Sequence, residues 1–135
     1  MIATTATRVA ERTEPEVNRR IEERADRRIG EYSMHPDRIE HRLRELDAEW
    51  DIERALQTNF AAVVLLSTAL GAFVDRRWLL LGGAAAGFMI QHSLQGWCPP
   101  LPIFRRLGVR TAREIEEERR ALLRIQSQAE APSNT

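Results

Sequence analysis

The chain contains no lysine: its 20 basic residues are all arginine, and 20 acids balance them. A genome rich in G and C explains that bias more simply than a special role for guanidinium. Zero formal net charge with the signs interspersed leaves no broad electrostatic case for nucleic acid as a partner. Cysteine is almost absent as well, and the single Cys98 excludes an intramolecular disulfide framework. The opening stretch MIATTATRVAERTEPE lacks the apolar core of a cleavable signal peptide, so membrane insertion is expected to use an internal segment. Catalytic signatures are missing too. There is no phosphate-binding glycine loop and no nucleophile elbow, and Glu116-Glu117-Glu118 has no pocket-forming context. Neither His92 with Cys98 nor His35 with His41 has persuasive metal-ligand spacing, so no metal, cofactor or catalytic residue is assigned.

Long uncharged runs are what the chain does have. Phe60–Val74 and Trp78–Ile90 are free of charge and are separated by Asp75-Arg76-Arg77. From Leu56 to Val74 the only polar residues are Gln57, Thr58, Asn59, Ser67 and Thr68. A helical span of the hydrocarbon core needs roughly 17–25 residues. Both runs are apolar all round, without the polar face of a helix on a soluble core. A buried hairpin in a soluble bundle would also show two apolar runs, but the flanking helices are too polar to cover them. The expected fold is therefore all-α: a two-span transmembrane hairpin (spans 56–74 and 78–97) with charged amphipathic cytoplasmic helices on both sides.

The rest of the chain divides around that hairpin. Residues 1–12 and 129–135 read as disordered. Thr13-Glu14-Pro15-Glu16 fits a capping box opening a helix with a thin stripe of Val17, Ile21, Ala25 and Ile29, broken near Gly30 and Pro36. A second helix from about Asp37 carries Ile39, Leu43, Leu46 and Trp50 at spacings of 4, 3 and 4, a coiled-coil-like seam offered to a partner. It is expected to run into the first span, completing a charged region over 13–57. Residues 98–110 form a proline-rich, basic membrane exit, and Thr111-Ala112-Arg113-Glu114 starts a helix lasting to about Gln128.

Several residues take expected roles. Trp78 and Trp97 bracket the second span as interface anchors, with Arg76 and Arg77 in the turn and Arg105 and Arg106 in the headgroup layer. Ser67, Gly71, Gly82, Gly83, Ala86 and Gly87 supply small-xxx-small surfaces for helix packing, within the hairpin or in a homodimer or small homo-oligomer. Arginine near the span ends places both termini in the cytoplasm. His92 is expected to be satisfied in a helix–helix contact. An alternative has His92, Gln91 and Arg105 line an anion path. Cys98 reads as a small residue in a tight turn or as a reactive thiol.

The run Gly96-Trp97-Cys98-Pro99 followed by Leu107-Gly108-Val109, after a short hairpin, resembles the YgaP-like transmembrane domain family over residues 52–112. That resemblance implies a small bacterial inner-membrane protein, homodimeric through its spans. Some members carry a rhodanese sulfurtransferase domain, for which this chain has no room, so no sulfurtransferase activity carries over. The expected function is a non-enzymatic membrane hairpin that presents cytoplasmic helices to a protein partner. Thiol-dependent sulfur or redox handling through Cys98, beside a separate sulfurtransferase, is the alternative.

Overall fold

A computed structural model of the chain describes residues 6–132. These residues form seven α-helices joined by short connections, with no strand among them: α1 (Arg8–Glu11), α2 (Pro15–Met34), α3 (Ile39–Ala48), α4 (Ile52–Phe73), α5 (Leu79–Gln95), α6 (Leu101–Arg106) and α7 (Ala112–Glu130). Short 3-10 turns at Pro36–Arg38 and Arg76–Trp78 lead into α3 and α5.

The long apolar helix has a defined start. Glu49 leaves helical geometry, and the Asp51 side chain accepts the Arg54 N–H at 2.9 Å, capping α4. The second charged helix therefore ends at Ala48 instead of running into the apolar segment. At the far end Asp75 accepts the Arg77 N–H at 2.9 Å, so the chain reverses and α5 returns antiparallel along α4. Small residues set that contact. The Ser67 hydroxyl donates to the Trp78 carbonyl at 2.9 Å, and a Cβ on Gly82 would collide with Ser67 Oγ. A Cβ on Gly71 would come within 2.5 Å of the Leu79 side chain.

By length and composition, one helical stretch among the described residues can cross a membrane; it lies within Pro36–Phe73 and takes its apolar part from α4. At 17 residues α5 sits at the short end of the span range and rises about 26 Å. Gly96 stops it, with φ +79 at the helix C-cap.

Two buried clusters hold the remainder. Val9, Ile52, Leu56, Phe60, Ala85, Cys98 and Leu101 pack at the base of the hairpin, with Trp97, Phe104 and Val109 against them. Ile39, Leu46, Ile115 and Leu122 join α3 to α7, while α2 packs on α7 as well. The seam of α3 thus closes inside the chain. Leu43 is half-buried there, and Trp50 stays exposed under the Arg54 guanidinium, 4.5 Å from its ring centroid.

Two local expectations change and a third is met. Arg8–Glu11 is helical, with Val9 in the core, where disorder was expected; residues 1–5 and 133–135 lie outside the described residues. The Thr13 capping box does not form, because the Thr13 hydroxyl donates to the Val9 carbonyl at 2.7 Å and Glu14 takes the cap position. The Thr111–Glu114 box does form in both directions, and α7 continues to Glu130.

Candidate functional site

The base of the hairpin gathers the chain's chemistry. The Asp51 cap places Glu53 in the first turn of α4, and antiparallel packing sets it beside His92 in the last turn of α5. His92 Nε2 lies 3.1 and 3.2 Å from the two Glu53 oxygens, and Arg8 Nη2 is 3.0 Å from Glu53 Oε1. The left-handed turn at Gly96 then folds Cys98 back under the same helix. Its Sγ comes 3.7 Å from His92 Nδ1. Both Cys98 and His92 are fully buried.

These contacts assign the imidazole. A carboxylate only accepts, so Nε2 carries a proton toward Glu53. When the ring is neutral Nδ1 is the acceptor facing the thiol, and when the ring is protonated Nδ1 donates to the thiolate, so the thiol proton is shared between Sγ and Nδ1. Cys98, His92 and Glu53 therefore have the order of a nucleophile, a base and a group that orients the base. Among the described residues no group of three or more His, Cys, Asp or Glu side chains is placed to hold a metal ion. Both ring nitrogens of His92 are already engaged.

An ionic cluster lies between the hairpin base and α7. Arg105, expected among lipid headgroups, is buried instead. It donates to Glu114 at 2.7 and 2.8 Å, to Asn18 Oδ1 at 3.0 Å, to Thr13 Oγ1 at 3.1 Å and to the Val109 carbonyl at 3.0 Å. Such saturation leaves it unavailable to an anion path. Nearby, fully buried Glu118 accepts from Arg42 at 3.0 Å, from Arg28 at 3.2 Å and from Arg110, while Arg110 also holds Glu49. Burial opposes ionisation of Glu118. Hydrogen bonds from Arg42 and Arg28 and the Arg110 charge outweigh it and keep the carboxyl below its usual range. Burial likewise opposes Glu114, and the Arg105 hydrogen bonds outweigh it.

The other expected site residues separate into inner and outer sets. Ser67, Gly71 and Gly82 lie inside the hairpin contact. Gly83, Ala86 and Gly87 face outward, and a Cβ on Gly83 or Gly87 would meet nothing within 4 Å. Arg76 and Arg77 are exposed in the turn, and Trp78 is 42% exposed. Trp97 packs half-buried on the basal cluster. Arg106 is exposed and pairs with Glu14 at 2.6 Å, while Gln91 is half-buried. Sequence reasoning set His92 near Cys98, as a neighbour six residues back and as a metal pair, and missed Glu53 and Arg8. The available signal was a histidine one turn before a glycine stop, with Cys98 two residues beyond that stop.

No protein-family model, no curated protein and no solved structure matches this chain.

Proposed function

We propose that the chain is a small membrane protein of the bacterial cytoplasmic membrane. In this reading α4 and α5 are a two-span hairpin, and α2, α3 and α7 form a helical head on the cytoplasmic side with both termini. One observation carries it: past its base, the hairpin turns large apolar side chains outward on every side. Leu65 is 74% exposed, Phe73 89%, Val74 70%, Leu80 77% and Ile90 62%. A contiguous apolar surface of this kind marks a membrane or an obligate partner, since soluble monomers rarely expose one. From Leu56 to its end at Phe73, α4 rises about 27 Å, close to the hydrocarbon thickness of roughly 30 Å. The resemblance of Gly96-Trp97-Cys98-Pro99 to the YgaP-like exit motif supports the same reading.

Gly83 and Gly87 leave a flat strip on the outer face of α5, which suits a second copy of the hairpin in lipid. The α3 seam serves the head itself. A protein partner of the head would meet its charged outer faces.

The test is carbonate extraction of membranes together with Arg76→Cys in a Cys98→Ser background. The expected result is retention in the pellet and labelling of the turn by an impermeant maleimide on spheroplasts without lysis. Release into the supernatant would overturn the membrane reading. Labelling only after lysis would overturn the orientation.

A further inference from the structure

The basal triad is not needed to hold a hairpin in a membrane. A buried thiol facing a histidine whose other nitrogen is pinned by a carboxylate is an arrangement for making a nucleophile. It is built from three separate elements: the first turn of α4, the last turn of α5 and the segment after Gly96. The chain has one cysteine, so no second thiol within it can resolve a disulfide at Cys98. Acyl transfer needs only one thiol and a base. A thioester donor suits it, because exchange of one thioester for another leaves a thiolate of comparable basicity. An oxoester would have to expel a far more basic alkoxide. The walls are hydrocarbon: Ile52, Leu56, Phe60 and Leu101 share the buried cluster with Cys98. Beyond them runs the exposed apolar surface of the hairpin, against which a long acyl chain can lie.

We propose that Cys98 is a self-acylating thiol that accepts a long-chain acyl group from an acyl thioester. His92 Nδ1 takes the thiol proton, and Sγ attacks the carbonyl carbon. The new Sγ–C bond forms as the donor's C–S bond breaks, and the departing thiolate takes the proton back from His92. No electron is gained or lost. Glu53 is a positioning residue, holding the Nε2 proton so that Nδ1 is free to act. The helix α1 is the cover. Val9 enters the same cluster, the Arg8 backbone sits against Gly96 so closely that a Cβ there would lie 2.7 Å away, and the Arg8 guanidinium ties down Glu53. Acylation requires α1 to lift.

Full-length protein in detergent micelles, incubated with palmitoyl-CoA and followed by intact mass, tests this directly. One palmitoyl group is expected, removable by neutral hydroxylamine and absent in Cys98→Ser. His92→Gln is expected to slow the reaction by roughly a hundredfold, the scale of general-base assistance. Glu53→Gln is expected to shift the pH profile of the rate, which loss of packing alone would not do. Arg8→Ala, which loosens the cover, is expected to speed it.

The unsubstituted chain keeps the test decisive if a variant fails to fold. No adduct on it, in a preparation where N-ethylmaleimide alkylates Cys98 of the Arg8→Ala variant, would overturn the proposal. So would equal rates in the unsubstituted chain and His92→Gln. A disulfide-linked dimer in place of the thioester would overturn it in favour of redox chemistry. None of these outcomes depends on membrane retention, so this inference and the hairpin topology fail separately.

Discussion

Past Phe60 the hairpin is held by what its side chains lack, and the head by what its side chains carry. Along the hairpin, Gly82 and Gly71 let α4 and α5 approach until a single added carbon would collide. One hydroxyl, Ser67, spans the contact. In the head the apolar contact is thin: Ile39 and Leu46 on one side, Ile115 and Leu122 on the other. Between them lies a carboxylate, Glu118, that three arginines surround. A contact of small residues works where the surroundings are as apolar as the protein, because association then rests on van der Waals packing. A buried charge cluster works only while it is complete, because each ion removed from water depends on its partners. The two regions should therefore fail under different perturbations.

The largest expected effect is in the head. Glu118→Ala leaves the nearly buried Arg110 with Glu49 alone and removes an acceptor from Arg42 and Arg28. Breaking a buried ion pair by removing one partner costs about 3–5 kcal/mol. The helicity of the head should melt early in a denaturant series while the α4–α5 contact in micelles persists. A loss below about 1 kcal/mol would mean that water solvates the cluster and that the contrast between the regions is weaker than the contacts imply.

Acid should do the same more gently, since a protonated carboxyl still offers an acceptor. Glu118 and Glu114 both have folded-state values below the ordinary carboxylate value near 4.5. A carboxyl that binds its proton less readily when folded stabilises the fold above its unfolded pKa. That stabilisation is lost as pH falls through the lower folded value. Thermal stability of the head should therefore be flat from neutrality down to about pH 5 and fall below about pH 4. The distal hairpin, which has no ion pair between Phe60 and Val74, should hold its helicity across the same range. Hairpin and head melting together in acid would show that the two regions fold as one unit.

How much of this could be read in the sequence follows from how local each cause is. The Thr111–Glu114 box, the Asp75 turn and the apolar runs depend on residues within a few positions, and these are legible in the chain as written. Arg105 was not. Its neighbours Arg106, Leu107 and Arg110 suggested a headgroup segment, whereas its acceptors Thr13 and Asn18 lie 92 and 87 residues away. Thr13 was misread for the same reason, because a tertiary contact claims the hydroxyl that local spacing assigns to a cap. The seam at Ile39 and Leu46 is visible as a stripe, but nothing in it says whether its partner is another chain or α7. Glu53 reaches His92 only once α5 has reversed along α4, a separation of 39 residues. Glycine spacing suffered a finer ambiguity. Gly82 and Gly83 are adjacent, and only the rotation of α5 about its axis decides which one faces α4.

That rotation gives the smallest effect and the closest comparison. Gly82→Val puts branched carbons where Ser67 Oγ already sits, so α4 and α5 must separate or twist. Overpacking of this kind costs about 1–3 kcal/mol. Gly83→Val, one residue on, meets open space and should leave the hairpin of a single chain unchanged. Its effect should appear only between chains, as a drop in cross-linked dimer at fixed detergent-to-protein ratio, because the branched carbons fill the strip beside Gly87. Gly82→Val should instead disturb the contact within the chain, read as loss of a disulfide engineered across the distal turn. Equal loss of dimer from both substitutions would mean that self-association follows hairpin integrity and not the Gly83–Gly87 face. Loss from Gly83→Val alone would assign two adjacent glycines to two different helix contacts, one within the chain and one between copies.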